Sequence, residues 1–290
     1  MGHSSVGEKI GQALIYAILI LISVITLFPF IYVLMLSITP ETEAINKGIV
    51  LIPDQVTAAA YKTVFGKGFG LMGAYEITLF RTLAGTLLSM LFTLLAAYTL
   101  SKKKLPGRSG LLLFVIFTML FSGGLVPTYI IIKSLGLLDS IWVLVLPGMI
   151  SVFNLIVVKG FFEGIPLEME EAAIIDGAGE MAILFQVIMP LAMPVVATIG
   201  LFYAVGHWNS YFDAIMYINK ADLMPLQVVL RKILLSAQFQ QASEQGNSQN
   251  VSSIAIQMAA VIVSTVPILA VYPFVQKHFT KGVMIGAVKG

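Results

Sequence analysis

The chain has no cysteine, which excludes disulfides, thiol nucleophiles and thiolate metal sites together. Histidine is scarce too: His3, His207 and His278 stand far apart, with no spacing that suits a metal-ligand set. Charge is the third shortage. Only 11% of the residues are Asp, Glu, Lys or Arg, against about 25% in soluble proteins. The net charge of +2 carries no argument for nucleic acid. No phosphate-binding loop of the form G-x-x-x-x-G-K-[ST] occurs: Gly66-Lys67 lacks both the upstream glycine and the following Ser or Thr. The chain therefore has no means of hydrolysing ATP by that route. What is abundant is hydrocarbon. With 58% hydrophobic residues and a mean hydropathy of +0.94, the 290-residue chain has more apolar surface than one water-soluble core can hide, and it requires lipid as solvent.

A helical span needs about 20 mostly apolar residues. Segments 13–38, 75–100, 109–132, 141–162, 191–217 and 254–276 meet or approach that length, so the expectation is an all-α integral membrane protein of six spans in one domain, 1–290. Helices follow because backbone polar groups in lipid must be paired within their own segment, and the runs lack the alternation of barrel strands. The first run is too long for the apolar region of a signal peptide and no small-residue cleavage site follows, so it reads as a retained span. Ser122-Gly123-Gly124 with Pro127 interrupts the third span, and Pro147-Gly148 the fourth. The basic stretch "SKKKLPGR", 101–108, fixes the orientation: it belongs on the cytoplasmic side. Both termini are then cytoplasmic, and so is the loop 163–190.

That loop is unlike the rest of the chain. Glu163, Glu168, Glu170, Glu171, Asp176 and Glu180 crowd together among small residues. The local pattern predicts helix, tight turn, helix. Pro166 suits a first helical position, the acids of "EMEE" favour a helix N-terminus, Gly177 suits a left-handed exit, and Asp176 is placed to cap the following helix. On local physics alone this is a juxtamembrane elbow lying among lipid headgroups.

The spacing adds more. Glu171-Ala172-Ala173, three residues, Gly177, nine residues, then Val187-Ile188-Met189-Pro190 resembles the signature of ABC importer permeases, Glu-Ala-Ala, Gly and Ile-x-Leu-Pro, with Val187 and Met189 replacing Ile and Leu. "VPTYIIIKSLGLLDS", "WNSYFDA" and "KGVMIGAVKG" resemble the sugar-importing, maltose-type branch, nearest its members for complex or acidic oligosaccharides such as pectin or alginate fragments. The resemblance implies a type I importer permease in a bacterial cytoplasmic membrane, itself non-catalytic. It implies a second permease subunit, two ATPase subunits, an extracytoplasmic solute-binding protein and an oligosaccharide substrate. No cofactor is expected in this chain, while ATP and Mg belong to the partner ATPase. Glu171, Ala172, Ala173, Asp176, Gly177 and Pro190 would form the ATPase-coupling segment, Glu171 meeting a basic residue and the small residues permitting close docking.

Polar residues inside the spans raise two readings. Gly206, Asn209, Ser210, Asp213 and Tyr217 recur at three- and four-residue spacing, on one face of a continuous helix. At about 1.5 Å per residue from Pro190, Asp213 falls roughly 34 Å along, at the outer edge of an ~30 Å core. Asn209, Ser210 and Asp213, with Tyr129 and Asn154, are candidates for a translocation path; interhelical hydrogen bonds that fix the bundle explain them equally well. Arg81, close to Glu76, reads as a snorkelling side chain or a local ion pair. Outside, 218–253 contains an amphipathic "LMPLQVVLRKILL" followed by a polar, Gln- and Ser-rich stretch, either a solvated loop or a docking surface for the binding protein. The rival from another class is a stand-alone secondary transporter or channel, which requires midplane ionisable groups or an inverted repeat.

Overall fold

The computed structural model describes residues 6–66, 69–243 and 254–270, and among these there are helices and connecting turns but no strand. The described residues group into two compact units, one within Met1–Leu71 and Leu230–Val266, the other within Met72–Val229 and Pro267–Gly290.

The first unit is led by the Val6–Ser37 helix, whose most apolar stretch is wholly unburied by the protein. A helix apolar on all sides and 32 residues long is soluble only in lipid. Short helices Glu41–Lys47 and Ala59–Val64 follow. The Ser37 hydroxyl pairs with the Tyr61 hydroxyl at 2.7 Å, and the Thr57 N–H donates to the Ile38 carbonyl at 2.8 Å, so the chain folds back on the end of the long helix. Glu43 closes the intervening turn by accepting from the Asp54 and Gln55 N–H groups at 2.7 and 3.2 Å. The Asp54 N–H foremost, then the Lys47 ammonium and the Gln55 N–H, hold its carboxyl below the usual carboxylate range. The Ile254–Ala270 helix carries the small buried residues Ala255, Ala259 and Ala260.

The second unit is built around the Leu71–Ser101 helix. Arg81, Gly85, Ser89, Thr93 and Ala97 recur every fourth residue and form its buried seam. Gly85 lies so close to the His207 ring that a Cβ there would come within 2.7 Å of it. Lower on the helix, Leu94, Ala97 and Tyr98 join Leu155, Val158 and Phe162 of the Val152–Glu163 helix, and Ile183, Leu184, Ile188, Ile199 and Tyr203, in one apolar core. A second core holds Ile132, Val143, Leu144, Ala214, Tyr217 and Val228.

Three expected spans are broken. Arg108–Leu120 and Leu125–Ser134 meet at 112°, at the Ser122-Gly123-Gly124 break, where Gly124 takes φ +87°. Across 141–162 the helix is confined to a 3₁₀ turn at Ile141–Leu144 and to Val152–Glu163, because Pro147 lacks a donor and Gly148 adopts φ +71°. Within 191–217, Met193–Asn209 stops before a separate Phe212–Tyr217 turn of helix, with Ser210 extended between them. By length and composition two described helices can cross a membrane, or four if each bent pair counts as one span. The last expected span, 254–276, is described only to Ala270, and the tail "KGVMIGAVKG" lies outside the described residues.

Candidate functional site

The acidic segment folds as a helix, a turn and a second helix. Leu167–Ile175 starts directly after Pro166, one residue later than expected, with Glu168 and Glu170 in its first turn where the helix dipole favours them. Its exit is made by Gly177 at φ +82°. The Gly177 N–H donates to the Ile174 carbonyl at 3.0 Å and the Ala178 N–H to the Ala173 carbonyl at 2.9 Å, the crossed pair of a Schellman turn. Asp176 does not cap the next helix, contrary to expectation. Its N–H turns back to the Ala172 carbonyl at 3.1 Å. The crossed pair carries the chain three residues further before Glu180, so Gly179 takes the capping position without a side-chain hydrogen bond.

The helix fully buries none of its side chains; Glu170 and Ala173 are half-buried, Ala173 against the core. Glu171, Ala172, Asp176 and Gly177 are exposed, and Ile175 is 85% exposed beside Ile174. Glu171 and Ile174 border a pocket of about 230 Å³ together with Lys102, Lys103 and Lys104. The segment is strapped to the Leu71–Ser101 helix end by Lys102, which pairs with Glu170, lies 3.9 Å from the Glu180 carboxylate and sits 3.9 Å above the Tyr98 ring. Tyr98 in turn donates to Glu180 at 2.6 Å. A second strap joins Arg108 and Lys159 to Glu163. Beyond the turn, Ile183–Ile188 is π-helical: the Met189 N–H reaches the Leu184 carbonyl, five residues back, just ahead of Pro190, which has no N–H to give. The Glu180–Leu191 and Met193–Asn209 helices then meet at 91°.

A cavity of about 540 Å³ opens higher in the same unit, bordered by Arg81, Ser151, Asn154, His207, Ser210 and Asp213 among others. Non-helical backbone at Pro147, Gly148 and Ser210 lines it, which is where a membrane protein tolerates such backbone. Of the expected path residues, Asn154, Ser210 and Asp213 meet here. Asn209 is exposed and donates to the Val205 carbonyl at 3.0 Å, and Tyr129 stacks on Tyr217 with ring centroids 6.0 Å apart, so neither borders the cavity. The break at Ser210 undoes the single polar face expected of a continuous helix.

Arg81 was the residue least legible in advance. It is 3% exposed and pairs with Asp213, 132 residues away, rather than with nearby Glu76. Its Nη1 also donates to the Ser210 carbonyl at 3.1 Å. The available signal was the four-residue recurrence of Arg81, Gly85, Ser89 and Thr93 in an otherwise apolar helix. Thr93 and Tyr203 hydroxyls pair at 2.7 Å, and the Tyr203 oxygen accepts from the Ser151 N–H at 3.0 Å, fixing the cavity floor. No group of His, Asp or Glu suited to a metal ion is present among the described residues.

Comparison with known proteins agrees with the signature. Residues 4–285 match the model of a family described as the binding-protein-dependent transport system inner membrane component. Similar curated proteins include the polygalacturonan/rhamnogalacturonan transport system permease protein YtcP of Bacillus subtilis (strain 168), 44% identical over 98% of this chain and 99% of that one. Protein LplC of the same organism is 44% identical over 93% of this chain and 91% of its own. Among solved structures, a chain from a bacterial ABC transporter involved in the import of the acidic polysaccharide alginate superposes with a TM-score of 0.84, at 32% identity, over 96% of this chain and 100% of that one. An all-α architecture, an exposed Glu-Ala-Ala helix closed at Gly177 and matches over nearly the whole length agree, and the chain belongs to the family of inner-membrane ABC transporter permeases, non-catalytic subunits whose ATPase is a separate protein.

Proposed function

We propose that this permease carries acidic oligosaccharides, uronate-containing fragments of the pectin or alginate kind, inward across the cytoplasmic membrane. It does so beside a second, non-identical permease subunit, on two ATPase subunits, fed by an extracytoplasmic solute-binding protein. ATP and Mg bind in the ATPases. The chain crosses the membrane six times, with both termini and the 163–190 segment in the cytoplasm. The observation that carries the coupling reading is the Leu167–Ile175 helix, which rests on the core through Ala173 and leaves Glu171, Ala172, Ile174 and Ile175 exposed. Its bare Glu171 offers a charge to a basic partner, Ile174 and Ile175 offer apolar contact, and Ala172, Ala173 and Gly177 let another backbone approach. Movement of that helix reaches the spans through Lys102 and through the Glu180–Leu191 helix, so an ATP-dependent closure outside the chain biases a bundle with two arrangements. Support for the substrate class comes from the similarity to a polygalacturonan/rhamnogalacturonan permease and to a transporter that imports alginate.

The test is reconstitution of this chain with its second permease, ATPase and binding protein in liposomes. ATP- and binding-protein-dependent accumulation of trigalacturonate, with little uptake of maltotriose, is expected. Uptake driven by an ion gradient through this chain alone, as a secondary transporter or channel would give, or uptake confined to neutral sugars, would overturn the reading.

A further inference from the structure

We infer that Arg81 reads the carboxylate of the passing sugar, and that Asp213 holds its place while the path is empty. The inference rests on the uronate reading above. Arg81 is 3% exposed yet borders the cavity, so its guanidinium is withdrawn from bulk water but presented to the path. At about 1.5 Å per residue it lies roughly 15 Å from the Leu71 end of its helix, in the outer half of the span.

The pairing around it is incomplete. Nη1 donates to the Ser210 carbonyl and Nη2 to one oxygen of Asp213, while Nε–H has no acceptor. A guanidinium offers Nε–H and a neighbouring Nη–H as a parallel fork matched to the two oxygens of a carboxylate. Asp213 fills only one prong. Its other oxygen is turned away, accepting from the Ser210 hydroxyl at 3.0 Å and from the Ala214 N–H at 2.9 Å. An unfilled donor on a buried cation is costly, so the vacant prong is a place where a further acceptor gains free energy. Asp213 therefore keeps the buried cation neutralised without satisfying it, and a second carboxylate entering the cavity finds a vacant, charge-assisted donor.

The surroundings leave Arg81 room for an anion, the C-terminal end of the Met193–Asn209 helix being engaged by Arg81 through the Ser210 carbonyl. Arg81 and Asp213 are the formally charged residues of the lining, and they offset one another. To this the Val152–Glu163 helix adds its positive end: Ser151 caps it by accepting from the Asn154 N–H at 3.4 Å, and both residues border the cavity. A neutral sugar hydroxyl can also accept from Nε–H, but more weakly than a carboxylate, so the arrangement ranks acidic sugars above neutral ones.

The experiment compares uptake of trigalacturonate and of its methyl ester by the reconstituted complex, each delivered by the same binding protein, so that the binding protein's own preference cancels between variants. The double variant Arg81→Gln with Asp213→Asn removes both charges together and leaves no uncompensated buried ion. Its acid-to-ester uptake ratio is expected to fall about tenfold, the size of one lost charge-assisted hydrogen bond. Asp213→Asn alone removes the competing carboxylate and is expected to raise the ratio above wild type. A ratio unchanged in both variants assigns Arg81 to the fold alone and overturns the inference. Should the double variant fail to copurify with the ATPase, the single variant decides: a raised ratio supports the inference, and an unchanged or lowered one overturns it. Wild-type complex that takes up neither probe, or takes up maltotriose alone, sinks the uronate reading instead.

Discussion

Gly177 offers a perturbation whose size follows from the backbone alone. It holds φ +82°, and a Cβ added there meets nothing within 4 Å. Gly177→Ala therefore carries no steric clash within this chain, and its cost is that of placing an L-residue in the left-handed region, about 1–2 kcal/mol. That energy weakens the turn in which Gly177 and Ala178 donate to the Ile174 and Ala173 carbonyls. Because the Leu167–Ile175 helix fully buries no side chain and the turn touches the core only through the small, partly buried Ala173 and Ala178, the turn opens locally without unfolding the core. The open population should rise about 5- to 30-fold for 1–2 kcal/mol. Amide hydrogen exchange at Ala178, measured with the permease in nanodiscs, reads that population directly. Gly177→Asn should exchange more slowly than Gly177→Ala, since Asn tolerates the left-handed region, and Gly177→Val faster, since β-branched residues tolerate it least. Equal protection of Ala178 in the wild type and in Gly177→Ala and Gly177→Val would refute the reasoning: the turn would then not depend on the glycine conformation.

The Lys102 strap and the Asp139 clamp give further tests. Lys102→Met removes the partly buried pair with Glu170 and should weaken attachment of the acidic helix by about 1–2 kcal/mol, between the values of exposed and buried pairs; it is read as lowered ATPase stimulation by loaded binding protein, and the charge reversal Lys102→Glu with Glu170→Lys should restore only part of it, because a carboxylate at 102 meets Glu180 and loses the Tyr98 ring. Asp139, at φ +55°, accepts from the Asn219 N–H and from the Lys220 N–H at 3.1 Å, and these N–H groups, Asn219 foremost, hold its carboxyl below the usual range. Its folded pKa lies below the unfolded value, so its contribution is complete above about pH 4 and is lost as pH falls through the folded value. Protection of the Asn219 amide, corrected for intrinsic exchange, should fall with acid in the wild type, and this extra pH dependence should vanish in Asp139→Asn.

What could be read in the sequence was what is local. Glu171, Ala172, Ala173, Gly177 and Pro190 announce themselves by spacing, and the glycine exit follows from steric preference within a single turn. The breaks at Ser122-Gly123-Gly124 and Pro147-Gly148 were likewise legible, because Gly and Pro mark them. The break at Ser210 was not, since "HWNSYFD" contains neither residue, and its polar side chains read equally well as one face of a continuous helix. Nothing near Arg81 in sequence discloses Asp213, because that pair is made by packing across 132 residues. Asp176 shows the opposite case, a residue with good capping chemistry that closes the first helix, three residues short of the position that caps the next.

The 91° meeting of the Glu180–Leu191 and Met193–Asn209 helices makes this part of the molecule a bell-crank. A displacement of the first arm along its own axis has almost no component along the second, so it arrives there as a sideways swing of the foot rather than as a piston stroke. The pivot is Ala192, fully buried between Pro190 and Pro194, which have no N–H to give and so loosen the hydrogen bonding between the two arms at the knee. Ser210, at the far end of the second arm, then moves through an arc whose radius is that helix's length, and the carbonyl gripping Arg81 moves with it.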